Sequence, residues 1–275
     1  MAELTVLVPV KQIDASMLRE AIRSLVKQTL CDLRILILCA SDADATSRVV
    51  DEFQDERIEI VRCDESDTIS EQLNRGIELA DTDLIARADA DDINERWRLE
   101  RQVRFMKSDL DTAVVGTALT IINNEGVPIG IRDYSESHVE IAKAMCFGNS
   151  VAHPSVMFRR DAVIQAGGYR YSGRPAQDYE LWSRMIQQGY RFANLADAGV
   201  RYRLHSSSTK SSRQKQTLRS TLDIKRTYWV SSMTLSARIR YWLEHLLLLL
   251  PAVFVDRAFI AWQFRSPDLS AVKDS

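Results

Sequence analysis

The chain has no Cys-x-x-Cys pair, no internal repeat and no apolar run long enough to cross a bilayer. Its four cysteines, Cys31, Cys39, Cys63 and Cys146, are far apart. Two of them lie in or beside apolar strand patterns, so buried thiols are expected rather than metal ligands. That usage suits a reducing cytoplasm. The longest apolar stretch, Leu246 to Val255, covers ten residues and is broken by Pro251, which is too short to span a membrane. No leader pattern is seen at the start either: Met1-Ala2-Glu3 is acidic and runs straight into an apolar stretch, so no signal peptide is expected in these residues. What is there is ordinary for a soluble globular chain. Of 275 residues, 45% are hydrophobic and 27% charged, enough to build a core that needs no disulfide or structural metal.

The formal net charge of −2 conceals an asymmetry. Residues 201–275 carry 13 Lys/Arg against 5 Asp/Glu, while the first 200 carry 23 against 33. A basic tail on an acidic body suggests an anionic partner such as phospholipid head groups or a pyrophosphate-linked acceptor. The alternative is a solvated helical face. Arg238, Arg240, Tyr241 and Trp242 precede the Leu246–Val255 run and Arg257 and Trp262 follow it. Cations and aromatics around a short apolar core suit an interfacial helix, but a helix packed on its own domain or on a second subunit is the preferred reading, since buried helices of this length are common. The expected location is the cytoplasm, with peripheral contact at the inner face of the cytoplasmic membrane through this segment. No nucleic-acid partner is expected.

The first half alternates apolar runs with amphipathic stretches. Leu4–Val10, Leu33–Cys39, Ile58–Val61 and Asp83–Ala88 read as strands. Helices are expected from Asp14-Ala15-Ser16 onward, over Asp44–Phe53 and over Thr68–Ala80. Continuous apolar runs such as Leu33–Cys39 mark strands buried on both faces. The βαβαβαβ order predicts an α/β fold, a mostly parallel sheet with helices on both faces, whose ligands bind beyond the carboxyl ends of the strands. Further on, strands are expected over Ala113–Ile122, Ser155–Phe158 and Val200–Leu204. Helices are expected over Trp97–Lys107, before Gly167-Gly168, and over Asp178–Gln188 closed by Gly189. Ser206–Thr209 reads as a linker to two C-terminal helical segments, roughly 213–230 and 235–262.

One strand ends in Asp89-Ala90-Asp91-Asp92. Clustered carboxylates repel one another and are costly to desolvate unless a cation compensates them. At the end of a parallel strand, Asp-x-Asp suits a hard divalent cation, Mg2+ or Mn2+, bridging the phosphates of a nucleotide. An isolated Asp-x-Asp is also compatible with a solvated acidic turn.

The ordered set of motifs resembles the family-2 glycosyltransferases, with the GT-A nucleotide-sugar fold, from about Thr5 to Ser208. Val6-Leu7-Val8-Pro9-Val10 resembles the strand under the nucleotide base, and Leu73-Asn74-Arg75-Gly76-Ile77 the helix before the metal strand. Ile85 to Ile93 is similar to the metal motif and His153 to Arg160 to the acceptor-side strand. Gly167-Gly168-Tyr169 and Gln177-Asp178-Tyr179-Glu180-Leu181-Trp182 resemble the segment bearing the base, and Tyr202-Arg203-Leu204-His205 the closing motif. The resemblance implies a GT-A domain over 1–208 with a helical appendage over 209–275. It also implies transfer of a sugar, with inversion, from a nucleoside diphosphate, usually UDP. The acceptor would be a hydroxyl on a surface polysaccharide or lipid-linked glycan. Pro9, Val10, Arg75, Asp89 and Ala90 would surround the nucleotide sugar. Asp91 would hold Mn2+ or Mg2+, His205 would add a metal or diphosphate contact, and Asp178 would be the catalytic base. Read without the resemblance, Asp178 is better explained as a helix N-cap.

Two departures stand out. The family shows two aspartates after the second strand, where this chain has Leu38-Cys39-Ala40-Ser41-Asp42-Ala43-Asp44. Asp42 or Asp44 would substitute, or backbone groups would hold the base, so UDP is not fixed by the pattern. Gln177 stands where the family more often has Glu. Lys11, just after Pro9-Val10, either reaches a phosphate or is a solvated loop lysine. The other readings are weaker. An isoprenoid synthase Asp-Asp-x-x-Glu site belongs on helices, a haloacid-dehalogenase-type phosphatase needs its Asp-x-Asp on the first strand, and a nucleotidyltransferase needs a glycine-rich basic loop where Pro9-Val10-Lys11-Gln12 stands. A catalytically degenerate protein that binds a glycan or a partner is the non-enzyme alternative.

Overall fold

The computed structural model describes residues 2–11, 14–40, 42–204 and 211–249. The first half alternates as its pattern predicts: β1 (Leu4–Val10), α1 (Ala15–Val26), β2 (Leu33–Cys39), α2 (Ala43–Asp51), β3 (Ile58–Arg62), α3 (Ile69–Leu79) and β4 (Leu84–Arg87). Asp14 caps α1 by accepting from the Ser16 and Met17 amides, and Thr68 with Glu71 forms a capping box on α3. The second half adds β5 (Ile93–Asn94), α4 (Arg98–Ser108), β6 (Thr112–Ile122), β7 (Pro128–Arg132) and α5 (His138–Met145). After these come β8 (Met157–Arg159), α6 (Arg160–Ala166), α7 (Gln177–Gln187), β9 (Arg191–Arg203), α8 (Ser211–Tyr228) and α9 (Leu235–Leu249).

The strands form one sheet in the order β3-β2-β1-β4-β8-β6-β9-β5, with β7 also paired to β6. It is parallel from β3 through β4 and mixed beyond, because β8 enters antiparallel between β4 and β6. Both faces are covered. Alternate residues of β1 point to opposite sides: Leu4, Val6, Val8 and Val10 join Leu18, Ile22 and Leu25 of α1 and Leu99, Val103 and Met106 of α4. Leu7, with Leu36 and Leu38 of β2, joins Leu73 and Ile77 of α3 and Trp182 and Met185 of α7. Two-sided burial is why these strands read as unbroken apolar runs.

The chain steps outward from β1 to β2 to β3 with α1 and α2 on one face, then returns across β1 to β4 with α3 on the other. Right-handed crossovers require that change of face, and it opens a crevice between the carboxyl ends of β1 and β4. Lys11 and Asp89 stand at its two sides.

Some elements differ from their sequence pattern. β9 begins at Arg191 rather than near Val200, and its pairing with β6 shifts register at three places, which obscures a two-residue alternation. Helix α5 was not expected; Ser137 caps it. The helices α8 and α9 pack on the body rather than apart from it. The Trp229 indole donates to Ser183 at 2.9 Å, and the Tyr228 hydroxyl donates to Glu180 at 2.8 Å. Leu218, Leu222 and Tyr241 share the core of α7. A buried Lys225–Glu244 pair at 2.6 Å joins the two helices. No helix among the described residues is long and apolar enough to cross a membrane. The outward face of α9 nevertheless carries exposed Leu235, Ile239, Trp242, Leu246 and Leu249 at three- and four-residue spacing. The Ser206–Thr209 stretch and residues 250–275 lie outside the described residues.

The glycine of Leu73-Asn74-Arg75-Gly76-Ile77 lets α3 lie close on the sheet. A Cβ added at Gly76 would meet Leu7 Cδ2 at 2.8 Å and Leu38 Cδ1 at 2.9 Å. Gly76→Ala is therefore expected to lower stability by about 1 kcal/mol net, the overpacking of buried Leu7 and Leu38 exceeding the roughly 1 kcal/mol that alanine gains over glycine in a helix. Arg75→Ala, at an exposed neighbour, should stay within about 0.5 kcal/mol of wild type. Urea unfolding of both variants checks this, and equal stabilities would mean that α3 is not seated by this contact.

Candidate active site

Beyond β4 the chain turns sharply, with the Asp92 amide donating to the Asp89 carbonyl at 3.4 Å. The turn brings carboxylate oxygens of Asp89, Asp91 and Asp92 within 4.8 Å of one another. The guanidinium groups of Arg87 and Arg98 offset this crowding, and Arg203 ties the loop down. Arg87 pairs with Asp89 at 2.6 Å. Arg98, fully buried at the start of α4, donates to the Arg87 carbonyl at 2.7 Å, to the Val156 carbonyl at 3.3 Å, and to Asn94 and Gln102. Arg203, at the end of β9, gives its backbone amide to Asp92 Oδ1 at 2.8 Å. Its side chain donates to the carbonyls of Asp91 at 3.0 Å and Asn124 at 2.7 Å and pairs with Glu20 at 2.7 Å. The loop is thus fastened to β4, β9, α1 and the β6–β7 turn together.

Protonation follows from this arrangement. Burial pulls the Arg98 guanidinium down to about 9, with Asp89 and Asp92 opposing the shift, so it is a cation at neutral pH. Burial raises Asp89, with Arg87 pulling the other way. Burial raises Asp92 well above the usual carboxylate range, and the charges of Asp89 and Asp91 raise it further. Asp92 Oδ2 is buried with no hydrogen-bond partner. Three close carboxylates, one with an orphaned oxygen, are an all-oxygen donor set that fits a hard divalent cation.

Asp89 and Asp178 line one cleft of about 240 Å³, with Arg132, Tyr134, Asn149 and Tyr202 among its walls. Asp178 is the second residue of α7. The capping position before the helix belongs to Ala176, left-handed at φ 65° and without a side-chain cap, so Asp178 lies within the first turn and is not the N-cap. Its Oδ2 accepts from the Asn149 amide nitrogen at 2.7 Å, and the Asn149 oxygen accepts from the Val151 amide at 3.2 Å, which fixes the orientation of Asn149. Burial raises the Asp178 carboxyl, opposed by the Tyr179 amide and by Arg87. The neighbouring acid Glu180 is committed elsewhere, paired with Arg184 at 2.9 Å in the core. His153 also lines the cleft. Burial holds it neutral, and its Nε2 lies 2.8 Å from the Tyr169 hydroxyl.

The other residues singled out in the sequence are spread along the same sheet edge. Pro9 and Val10 end β1, and Ala90, within the acidic loop, packs half-buried against the core that holds β1 and α1. Asp42 is the N-cap of α2, with its carboxylate on the Ala45 amide at 2.9 Å. Lys11 donates to the Asp67 carbonyl at 2.7 Å. Arg75 is exposed on α3. Its neighbour Asn74 makes paired hydrogen bonds, each 2.9 Å, with the backbone of Tyr169, so the Asn-Arg-Gly and Gly-Gly-Tyr motifs are halves of one joint. His205 lies outside the described residues. Sequence reading missed Arg98, Arg132, Tyr134, Asn149 and the structural work of Arg203. For Arg98 a signal existed: Asn94, Arg98 and Gln102 recur at four-residue spacing beside the apolar stripe of α4. For Asn149 and Tyr134 there was none.

A sequence model described as "Glycosyl transferase family 2" matches residues 5–167. The chain is 32% identical over 197 residues to the O-antigen biosynthesis glycosyltransferase WbnJ of Escherichia coli, covering 70% of this chain and 76% of WbnJ. S. aureus TarS 1–349 in complex with UDP-GlcNAc superposes with a TM-score of 0.62 at 13% identity, over 88% of this chain and 79% of that one. In another TarS 1–349 structure the match spans 65% of its length. The mannosyltransferase PcManGT from Pyrobaculum calidifontis, in complex with GDP-Man and Mn2+, superposes with a TM-score of 0.59 at 14% identity, over 95% of this chain and 84% of that one.

The buried carboxylates carry a pH signature. Because the folded state holds the Asp92 proton more tightly than the unfolded state does, stability without metal should fall as pH rises from the ordinary carboxylate range through the raised value. Asp92→Asn keeps an oxygen for the Arg203 amide and removes the charge. It is expected to melt higher than wild type at neutral pH, by about 2–4 °C for each kcal/mol of repulsion relieved, and to lose part of that slope. Thermal melts across pH in chelator check it; a variant melting lower at every pH would refute the account.

Proposed function

The chain belongs to glycosyl transferase family 2, and on that footing we propose that it is a metal-dependent, inverting enzyme. It moves a sugar from a nucleoside diphosphate, with UDP as the inferred nucleotide, to a hydroxyl of a surface polysaccharide or lipid-linked glycan. The observation that carries this reading is the meeting of Asp89 and Asp178 in one cleft, beside a carboxylate cluster at the switch point of the sheet. The complexes of TarS with UDP-GlcNAc and of PcManGT with GDP-Man and Mn2+ support a nucleotide sugar and a divalent ion here by analogy of fold.

The residues divide the chemistry between them. Asp91, with Asp89 and Asp92, would hold Mn2+ or Mg2+, whose charge offsets that of the departing diphosphate. Arg87 and Arg98 steady the same loop from beneath. Asp178 takes the proton of the acceptor hydroxyl as that oxygen forms its bond to the anomeric carbon, and the bond from that carbon to the diphosphate breaks on the opposite face, which inverts the centre. Asn149 holds the carboxylate by its Oδ2 and so orients it toward the cleft in this reading. Burial raises the basicity of Asp178, the direction a general base needs near neutral pH.

The exposed apolar stripe of α9 supports an acceptor met at a membrane surface. The helix has one acid, Glu244, and it is buried and paired with Lys225; Arg238 is exposed beside the stripe. Arg240 of the same helix reaches over the Phe147 ring at 5.9 Å, next to the loop that carries Asn149.

Calorimetric titration with UDP, GDP, CDP and dTDP, with and without Mn2+, tests the donor site. UDP is expected to bind in a metal-dependent way. Asp178→Asn should retain that binding while transfer falls by about 10²-fold or more. Undiminished turnover in Asp178→Asn would sink its assignment as base. For the surface, full-length protein is expected to pellet with phosphatidylglycerol-containing vesicles in a salt-sensitive manner, and Ile239→Glu with Leu246→Glu to abolish pelleting. Pelleting unchanged by the substitutions, or absent in wild type, would remove the membrane role.

A further inference from the structure

The segment that supplies Asn149 to Asp178 also sends His153 to the wall of the cleft. The imidazole is held on several sides. Its Nε2 lies 2.8 Å from the Tyr169 hydroxyl. The Tyr169 ring is tilted against it with centroids 5.4 Å apart, and Trp182 meets it edge-on at 6.0 Å. Only 6% of the residue is exposed. A ring fixed this firmly has one orientation to offer the cleft.

The hydrogen-bond network also decides where its proton sits. The Tyr169 hydroxyl is buried and has no other partner among the described residues. Were it to accept a proton from Nε2, its own proton would be stranded in the core. The phenol therefore donates to Nε2. Burial and the charge of Arg87 hold the imidazole neutral, so its single proton is on Nδ1. That nitrogen makes no hydrogen bond among the described residues, and it is not one of the orphaned atoms sealed in the core. Since the residue lines the cleft, the Nδ1–H is offered to whatever fills it. An uncharged, rigidly held N–H suits an uncharged oxygen, such as those of a sugar, and fixes its orientation.

We propose that His153, its proton held on Nδ1 by Tyr169, is a specificity-determining residue that donates to an oxygen of the sugar in this cleft. The inference rests on the reading of the cleft as the place of sugar transfer. It adds which side chain reads the sugar and by what kind of bond. The same chemistry serves the sugar of the donor or that of the acceptor. A sugar lacking the matching oxygen would leave the N–H unpaired and be disfavoured.

Two amide side chains divide the work of the ring. His153→Asn places an N–H near the position of Nδ1 and gives up Nε2; His153→Gln places an acceptor near Nε2 and gives up Nδ1. The full-length protein is titrated in Mn2+ with UDP, UDP-glucose, UDP-galactose and UDP-N-acetylglucosamine. Saturated with UDP and Mn2+, it is titrated with methyl glucoside and methyl galactoside. His153→Gln is expected to melt near wild type and to keep UDP affinity within about twofold, which reports an intact fold. It should lose about three- to tenfold in affinity for at least one sugar probe, the worth of one neutral hydrogen bond. His153→Asn should melt lower, because the Tyr169 hydroxyl loses its acceptor, yet bind that probe within about twofold of wild type. A loss confined to UDP-sugars assigns His153 to the donor sugar, and a loss confined to the glycosides to the acceptor. If His153→Gln binds every probe as well as His153→Asn does, the proposal is overturned, since His153 would then be only the core partner of Tyr169. Nitrogen-15 NMR of the wild-type ring, identified by its absence from His153→Gln, should show the proton on Nδ1. A proton on Nε2 overturns the proposal as well. If UDP does not bind wild type, the donor reading itself has failed, and the proposal falls with it.

Discussion

Everything at the carboxyl edge of this sheet answers to one constraint: three carboxylates must sit within a few ångströms of one another at the end of a buried strand. Left alone they would repel and drag water into the core. The fold sets guanidinium groups around them instead. Arg87 comes from the strand itself, Arg98 from the helix that follows, and Arg203 from a strand more than a hundred residues later. Because Arg203 also reaches α1 and the β6–β7 turn, the acidic loop is a junction where distant parts of the chain are tied. The residual imbalance, seen in the raised Asp92 carboxyl and its orphaned oxygen, is what an incoming cation would relieve.

The family motifs contain both the residues proposed to meet ligands and residues that hold the frame. Asn74 and Gly76 do the second job: one staples α3 to the backbone of Tyr169, and the other lets α3 lie against Leu7 and Leu38. Glu180, next to Asp178, is locked to Arg184, and Trp182 is wedged among Phe158, Tyr169 and Phe192. The aspartate thus faces the cleft from a helix whose other side is fixed in aromatic packing, and Asn149 sets its carboxylate. Such rigidity is what the proposed base would need to meet a hydroxyl in a narrow range of positions.

The C-terminal helices show how charge counted along a sequence can mislead. The excess of Lys and Arg after residue 200 suggests one basic surface. In the structure, Arg201, Arg203, Lys225, Arg226 and Arg240 are each paired with an acid: Glu95 and Glu20 of the acidic body for the first two, and Glu244 or Asp223 of the helices themselves for the rest. Arg201 and Arg203 tie β9 to the body, and Lys225 ties α8 to α9. What remains unusual on the outside of α9 is apolar rather than basic.

The sequence alone determined the alternation of strands and helices through β4. Runs buried on both faces leave no polar alternation, and caps such as Asp14 and Thr68 mark helix starts locally. It also determined the acidic tetrad and the aspartate at the start of α7, since residue type and order along the chain are enough to recognise them. It could not show that Asp178 lies inside the helix rather than capping it, because that depends on the left-handed Ala176 before it. Nor could it show that Asp42 is spent on α2, or that β9 runs the length of β6 through three register shifts. Only the tertiary structure joined Asp89 to Asp178 across one cleft and brought Arg132, Tyr134 and Asn149 to its walls. Those residues come from β7 and from loops whose course is set by packing against distant elements. Proximity across such separations leaves no periodicity for a sequence to display.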